Sequence, residues 1–305
     1  LDIYYEGKNI TAHVDAKKCI HKDVSGGARD MLDIEFELSG RWYGWQPKGD
    51  DRIRIEAGGY STGDMYLNTV LPNDGKYRII ATSAKLAARQ KAWASYEHKT
   101  LSTIMAACAG ECGMKSSLYG ISENIQYPYI IRENEESTGF LDRLLRLEGA
   151  CLKCFNGKMR GISIEYAQRL SPTQTIEINA DQKQAFYINR KDLKYTSLTI
   201  QARGLKSSAL DDSAEGSNHK IITTLPVFDA SQARRWARGL LLMHNRMAEA
   251  LELGMEFNAG LTALARIDIE SKTDMDGKWM IDEVEHDFIN QKSKATLRRV
   301  ITTIR

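Results

Sequence analysis

Long apolar runs are missing from this chain of 305 residues: no stretch of about 18 apolar residues occurs, so no helix is expected to span a bilayer. An imbalance of charge is missing too. Lys and Arg number 42 against 40 Asp and Glu, a net of +2, which argues against a protein whose main task is neutralising phosphates. No basic-then-apolar leader stands at Leu1, so no secretory signal is read and assembly in a cytoplasm is expected. Neither Gly-x-Gly-x-x-Gly nor a P-loop occurs, and His13, His21, His98, His219, His244 and His286 never take His-Glu-x-x-His spacing. Cysteine is scarce. Cys19, Cys108, Cys112, Cys151 and Cys154 make an odd count, which favours reduced thiols. Cys108 and Cys112 stand at helical spacing in an apolar stretch, and Cys151 and Cys154 would point to opposite faces of a strand. Neither pair is read as a metal site, and no cofactor is expected.

What is present can build a core without staples: 42% of residues are hydrophobic. At about 150 residues per domain, the length fits two domains. The first region reads as β. Leu32, Ile34, Phe36 and Leu38 alternate with Asp33, Glu35 and Glu37, a half-buried strand with a wet outer face. Ile53 and Ile55 alternate with charged residues, Met65 to Val70 forms another strand, and Pro72-Asn73-Asp74-Gly75 turns the chain into Tyr77 to Thr82. The middle changes period. Thr100 can cap a helix carrying Leu101, Ile104, Met105 and Cys108, and a second helix begins near Ser137 with Gly149 as its stop. Asn156-Gly157 then marks a hairpin. The last region returns to β. Residues 205–219, rich in Ser, Asp and Gly, read as a mobile loop, and Asp229 caps a helix whose stripe runs Ala233, Trp236, Leu240, Met243, Met247, Leu251. The expected fold is mainly β with an α+β insert: two similar small antiparallel β-barrels, a helix–hairpin insert and one long helix. The boundaries are a first barrel over 1–95, the insert over 96–168, and a second barrel over 169–305 with its helix over 229–253.

An internal echo carries the most information. At an offset of 214, Arg52, Ile53, Ile55, Glu56, Gly63 and Val70 recur as Arg266, Ile267, Ile269, Glu270, Gly277 and Val284, without a gap. Both copies break strict alternation at the same place: Met65 and Leu67 are followed by Val70, and Trp279 and Ile281 by Val284. An extra residue in a strand is a β-bulge, which bends and twists it. Two copies of one curved unit are expected, so that three chains in a ring would present six similar units.

Arg132-Glu133-Asn134-Glu135-Glu136-Ser137, then Phe140-Leu141-x-Arg143-Leu144, then Gly149 and the hairpin, resembles the central signature of the phage late control protein D family, the baseplate hubs of contractile tails. These are similar to the hub part of VgrG spikes. Ala81-Thr82-Ser83 with Trp93, the Thr100-Leu101-x-x-Ile104 helix, and Trp279-x-Ile281-x-x-Val284-x-His286 are similar to flanking stretches of that family. The resemblance covers roughly 1–166 and 229–300 and is weak across 170–228. It implies a homotrimeric hub joining a hexameric tail tube, or its initiator, to a trimeric central spike beside other baseplate proteins. It places the chain in a virion or a tail-like particle, bacteriocins included, assembled in the bacterial cytoplasm. It implies no enzyme, no cofactor and no sequence-specific nucleic-acid partner.

Read physically, the motif is structural. Asn134 can cap by an Asx turn, Ser137 can satisfy the first amides of its helix, and Glu135 and Glu136 sit at the positive helix start. Phe140 and Leu144 bury against the hairpin, Leu141 shares their apolar face, and Gly149 stops the helix. Glu283, Glu285, His286 and Asp287 form an acidic cluster around one histidine, read as a solvated face of an edge strand. A cell-wall hydrolase and a monomeric carbohydrate- or protein-binding β module are the competing readings.

Overall fold

The computed structural model describes residues 1–27, 29–37, 44–73, 75–178 and 185–305; Leu38 and Asp74 lie outside the described residues. Alternation sets the frame. Leu32, Ile34 and Phe36 point into a core from the strand Met31–Glu37. Asp33 on its opposite face is not wet as expected, because Lys18 Nζ at 2.6 Å and Arg78 Nη2 at 2.7 Å close over its carboxylate.

One curled sheet runs through the molecule. Its main path is Ala185–Asn189, Glu249–Glu256, Lys292–Arg299, Gly277–Asp287, Ala16–Val24, Met31–Glu37, Lys76–Thr82, Met65–Asn73, Arg52–Ala57, Asp2–Tyr5 and Lys8–Asn9. The sheet wraps two separate cores, so the fold is two similar half-barrel modules sharing one sheet. The first core holds Ile3, Ile34, Ile53, Ile55, Met65 and Leu67. The second holds Leu251, Leu253, Ile267, Ile269, Trp279 and Ile281.

The modules agree in strand order and in register. Arg52 pairs with Tyr66 and Ile53 with Met65; Arg266 pairs with Met280 and Ile267 with Trp279, the same positions 214 residues on. The ladder slips between Leu67 and Thr69 in one and between Ile281 and Glu283 in the other, the bulge that each broken alternation encodes. Asp50 and Leu264 both take a positive φ, 68° and 70°. From these turns Asp50 N bonds Leu67 O, and Leu264 N bonds Ile281 O. Next along the sheet, Leu32 and Ile34 face Ala81 and Ile79, as Leu251 and Leu253 face Leu297 and Ala295. Then His21 and Cys19 face Leu32 and Ile34, as Tyr187 and Ala185 face Leu251 and Leu253. One difference stands at the far end: Asp2–Tyr5 runs antiparallel to Arg52–Ala57, whereas Thr175–Ile178 runs parallel to Arg266–Ser271.

The third core belongs to the insert and the helices. Helix α1 (Leu101–Glu111) is capped by Thr100, whose hydroxyl accepts from Thr103 N. Helix α2 (Ser137–Leu147) leads into the hairpin Ala150–Phe155 and Lys158–Ser163, whose turn residues Asn156 and Gly157 both have positive φ. Helix α3 (Ile164–Arg169) follows, and helix α4 (Ala230–Asn245) packs across α2. The helix expected over 229–253 ends at Asn245, and Glu249–Glu256 is a strand. Asn245 is tied by its side chain to both backbone groups of Tyr195 and to Asp211, which fixes the exit. Leu251 then enters the second core from a strand, and Met247 is exposed. The expected loop over 205–219 begins as the strand Leu205–Leu210, paired with Ser197–Ala202. Its serines are poor strand formers, and the partner strand overrides them. Among the described residues no helix is long and apolar enough to cross a membrane.

Candidate functional site

Arg132 is the hub of the central motif. Its guanidinium is buried, with Nη1 2.6 Å from Glu111 Oε2, Nε donating to Glu135 O and Nη2 to Gln90 O. Asn134 is exposed and takes a φ of 50°, at the slip in the Gln126–Glu136 ladder between Arg132 and Glu135. The motif is therefore a bulged strand that curls its backbone around an arginine. Ser137 does not cap α2: its hydroxyl donates to Glu111, and the N-cap position is Glu136, which makes no side-chain cap bond. Glu135 is fastened by Arg143 at 2.7 and 3.1 Å and Glu136 by Arg29, so these carboxylates serve ion pairs. Phe140, Leu141 and Leu144 are fully buried, Phe140 lying 5.7 Å from the Tyr96 ring at an angle of 13°. Gly149 has φ +70° beyond α2, and a Cβ there would stand 3.1 Å from Gly239 Cα of α4. At the same crossing Glu148 accepts from Tyr127 Oη at 2.9 Å, Trp236 Nε1 at 2.8 Å and Arg235 Nε at 3.0 Å.

A second cluster joins the three cores. Lys153 reaches from the hairpin with its ammonium donating to Asp30 Oδ1 at 2.6 Å, to Val24 O at 2.9 Å and to Asp23. The other oxygen of Asp23 accepts from Ala263 N at 2.8 Å, beside the turn of the second module. All three charged groups are buried. Burial pushes the Asp30 carboxyl up to about 7 against the pull of Lys153. Burial also raises Asp23, but Lys153 and its hydrogen bonds outweigh this and hold it below the usual carboxylate range. Burial works against the Lys153 cation, and the two aspartates more than reverse it. Beside them His21 Nδ1 bonds Tyr60 Oη at 2.8 Å, and burial lowers the imidazole to about 3, so it stays neutral. A lysine held cationic by two carboxylates offers no free amine for nucleophilic work; the arrangement is a clamp. Sequence reasoning missed it. Lys153 is a lone charge inside Cys151-Leu152-Lys153-Cys154, which signals a buried partner without naming it.

The repeat positions Ile53, Ile55, Ile267, Ile269 and Val284 are buried, and Val70 packs partly against the first core. Gly63 and Gly277 both have positive φ, and a Cβ on Gly63 would lie 2.6 Å from Asn156 Oδ1 of the hairpin turn. These positions belong to two modules and the motif to a third core, so no single cleft unites them. The strand Gly277–Asp287 is not the edge expected for it: it is paired on one side with Lys292–Arg299 and on the other with Ala16–Val24. His286 is buried and bonds Ser293 Oγ and Leu261 O at 2.9 Å each, away from Glu283 and Glu285 on the other face. The five cysteines are free and buried, and burial pushes Cys108 up to about 11 and Cys151 and Cys154 up to about 12. Such thiols are poor nucleophiles.

No protein-family model and no curated protein matches the sequence. Solved structures do. A 43 kDa tail protein of prophage MuSo2 from Shewanella oneidensis is similar at a TM-score of 0.73 and 14% identity, over 98% of this chain and 97% of its own. A tail protein from Neisseria meningitidis MC58 is similar at 0.76 and 10% identity, over 98% and 95%. An E. coli component of the type VI secretion system, described as structurally similar to bacteriophage T4 tail proteins, is similar at 0.60 and 11% identity, over 98% and 76%. At these identities the likeness concerns architecture, and with its two matched modules and helical insert this chain has the fold of phage tail proteins, shared with a type VI secretion component.

Proposed function

We propose that the chain is the structural hub of a baseplate, in a phage tail or a tail-like particle such as a bacteriocin, and acts as a homotrimer without an active site. The observation that carries this reading is the agreement of the two modules in strand order, bulge position and register. One polypeptide thereby offers two near-equivalent units. Three copies offer six, and a cyclic trimer can then seat a hexameric tube or tube initiator on one side and a trimeric spike on the other. Likeness to tail proteins over 98% of the chain supports the same assignment. Its other neighbours would be baseplate proteins, and its place would be the particle, after assembly in the bacterial cytoplasm. The division into a first barrel over 1–95, an insert over 96–168 and a second barrel over 169–305 follows this reading: the barrels build the ring, and the insert braces them through Arg132, Phe140 and Lys153.

Mass measurement in solution tests it. A species near three times 34.4 kDa, formed alone or with the spike or tube protein, is the expected result. A monomer at every concentration and with both partners would overturn it. Peptidoglycan cleavage abolished by Glu283→Gln would mark a hydrolase instead, and a monomer that binds sugar without turnover would mark a binding module.

A further inference from the structure

The sheet contains an internal joint that serves as a template. Where the modules meet, Glu283–Asp287 of the second runs antiparallel to Ile20–Val24 of the first, with His286 opposite His21 and Glu285 opposite Lys22. Phe288 N donates to Cys19 O and Ser25 N to Asp282 O, which fixes the phase: Val284 and His286 turn their backbone groups toward Asp23 and His21. The matched registers assign each half of this joint a counterpart. At the offset of 214, Glu283–His286 corresponds to Thr69–Pro72. Through their shared pairing partners, His21 corresponds to Tyr187 and Cys19 to Ala185.

Both counterparts lie at open edges. Among the described residues no strand pairs with the outer side of Thr69–Pro72 beyond the bulge, and Ala185–Asn189 ends the sheet path. Arg190 N donates inward to Ala248 O, so in the same ladder Ala185, Tyr187 and Asn189 turn their backbone groups outward. Within one chain these two edges are not paired with each other among the described residues. Resting on the hub reading, we propose that Thr69–Pro72 of one copy pairs antiparallel with Tyr187–Arg190 of the next, with Val70 opposite Asn189, Leu71 opposite Ile188 and Pro72 opposite Tyr187.

Side chains fit this pairing. In the internal joint the exposed face carries Lys22, which bonds Glu283 at 2.7 Å. At the corresponding positions stand Ile188 and Thr69, with Leu71 opposite Ile188. Phe186 and Leu71 are 64% and 44% exposed, so each edge carries an uncovered apolar side chain on the face where the pairing brings them together. One feature weakens the copy. Pro72 stands where His286 donates to His21, and proline has no N–H. The seam between chains therefore lacks a ladder bond and an ion pair that the internal joint possesses. It is a reversible joint, and ring closure depends on concentration or on a partner that holds the three copies.

The test places cysteines at the predicted pair in the full chain, Leu71→Cys with Ile188→Cys, and reads mild-oxidant cross-linking on a non-reducing gel. Directly opposed residues of the narrow, non-hydrogen-bonded kind suit a disulfide, and the five natural cysteines are buried. The expected product is a covalent trimer and nothing larger, formed at least about tenfold faster than with the off-register pair Leu71→Cys and Arg190→Cys. Pro72→Val should tighten the assembly about three- to tenfold per seam by restoring one donor. A trimer by mass with no cross-link, or with equal cross-linking off register, overturns the seam and leaves the hub reading intact. Ladders longer than three copies overturn closure. A monomer that never cross-links, even with spike or tube protein present, overturns both.

Discussion

Lys153→Met should unfold the joint between insert and modules more easily, with a characteristic dependence on pH. Removing one partner of a buried ion pair costs about 3–5 kcal/mol, because the remaining charge loses its counterion. Here two buried carboxylates, Asp23 and Asp30, are left behind. In the native protein they act in opposite directions. Asp30, raised to about 7, contributes stability that is complete below the ordinary carboxylate range and fades as pH climbs toward 7. Asp23, held below that range, contributes stability present above it and lost as pH falls. Without Lys153 both carboxyls rise, each unit worth about 1.4 kcal/mol. The deficit should then be small near about pH 5, where the carboxyls take up protons, and should grow toward about pH 8. Urea unfolding of both proteins across that range measures it. Asp23→Asn and Asp30→Asn added to Lys153→Met should recover most of the loss, since no buried charge remains. A deficit below about 1 kcal/mol that is flat with pH would refute the reasoning, because it would mean that water already reaches the cluster.

Phe140→Ala should cost about 3–5 kcal/mol in thermal or denaturant unfolding, as its ring is fully buried against Tyr96; a loss below about 1 kcal/mol would mean that the insert repacks without it. Gly239→Ala should shift α4 away from α2, since its Cβ would stand 2.3 Å from Leu147 O; a lowered melting temperature together with altered Trp236 fluorescence is the readout. Asp229→Ala should cost about 0.5–2 kcal/mol, as its carboxylate accepts from Gln232 N at the start of α4, and Asp229→Asn should restore most of that.

Elements whose signals are local were legible. Thr100 and Asp229 cap their helices because a side-chain oxygen needs only an amide two or three residues ahead. Asn156-Gly157 turns the hairpin because both residues accept positive φ. The bulges were readable because an extra residue breaks alternation in the sequence itself. Signals failed where a distant group competed. Ser137 could cap α2, but the Glu111 carboxylate from another helix takes its hydroxyl. The apolar stripe after Ala233 reads as helix through Leu251, because helix and strand spacings coincide over a few residues. Contacts of Asn245 with Tyr195 and Asp211 end the helix first.

The sequence by itself determined a doubled, bent β unit, since periodicity and its fault at offset 214 are properties of residue order. Only the tertiary structure decided how the two units are fastened. Asp23 and Asp30 stand more than a hundred residues from Lys153 and more than two hundred from Ala263, and nothing local distinguishes a carboxylate that will meet a buried ammonium from one that will meet water. The same holds for the sheet edges. Arg52–Ala57 and Gly277–Asp287 have ordinary strand patterns, yet each is paired on both sides, while among the described residues nothing pairs with the outer side of Thr69–Pro72 or of Ala185–Asn189. Which backbone groups stay free is set by strand order, and strand order depends on pairings between distant segments, such as Ile20–Val24 with Glu283–Asp287 and Ala185–Asn189 with Glu249–Leu253.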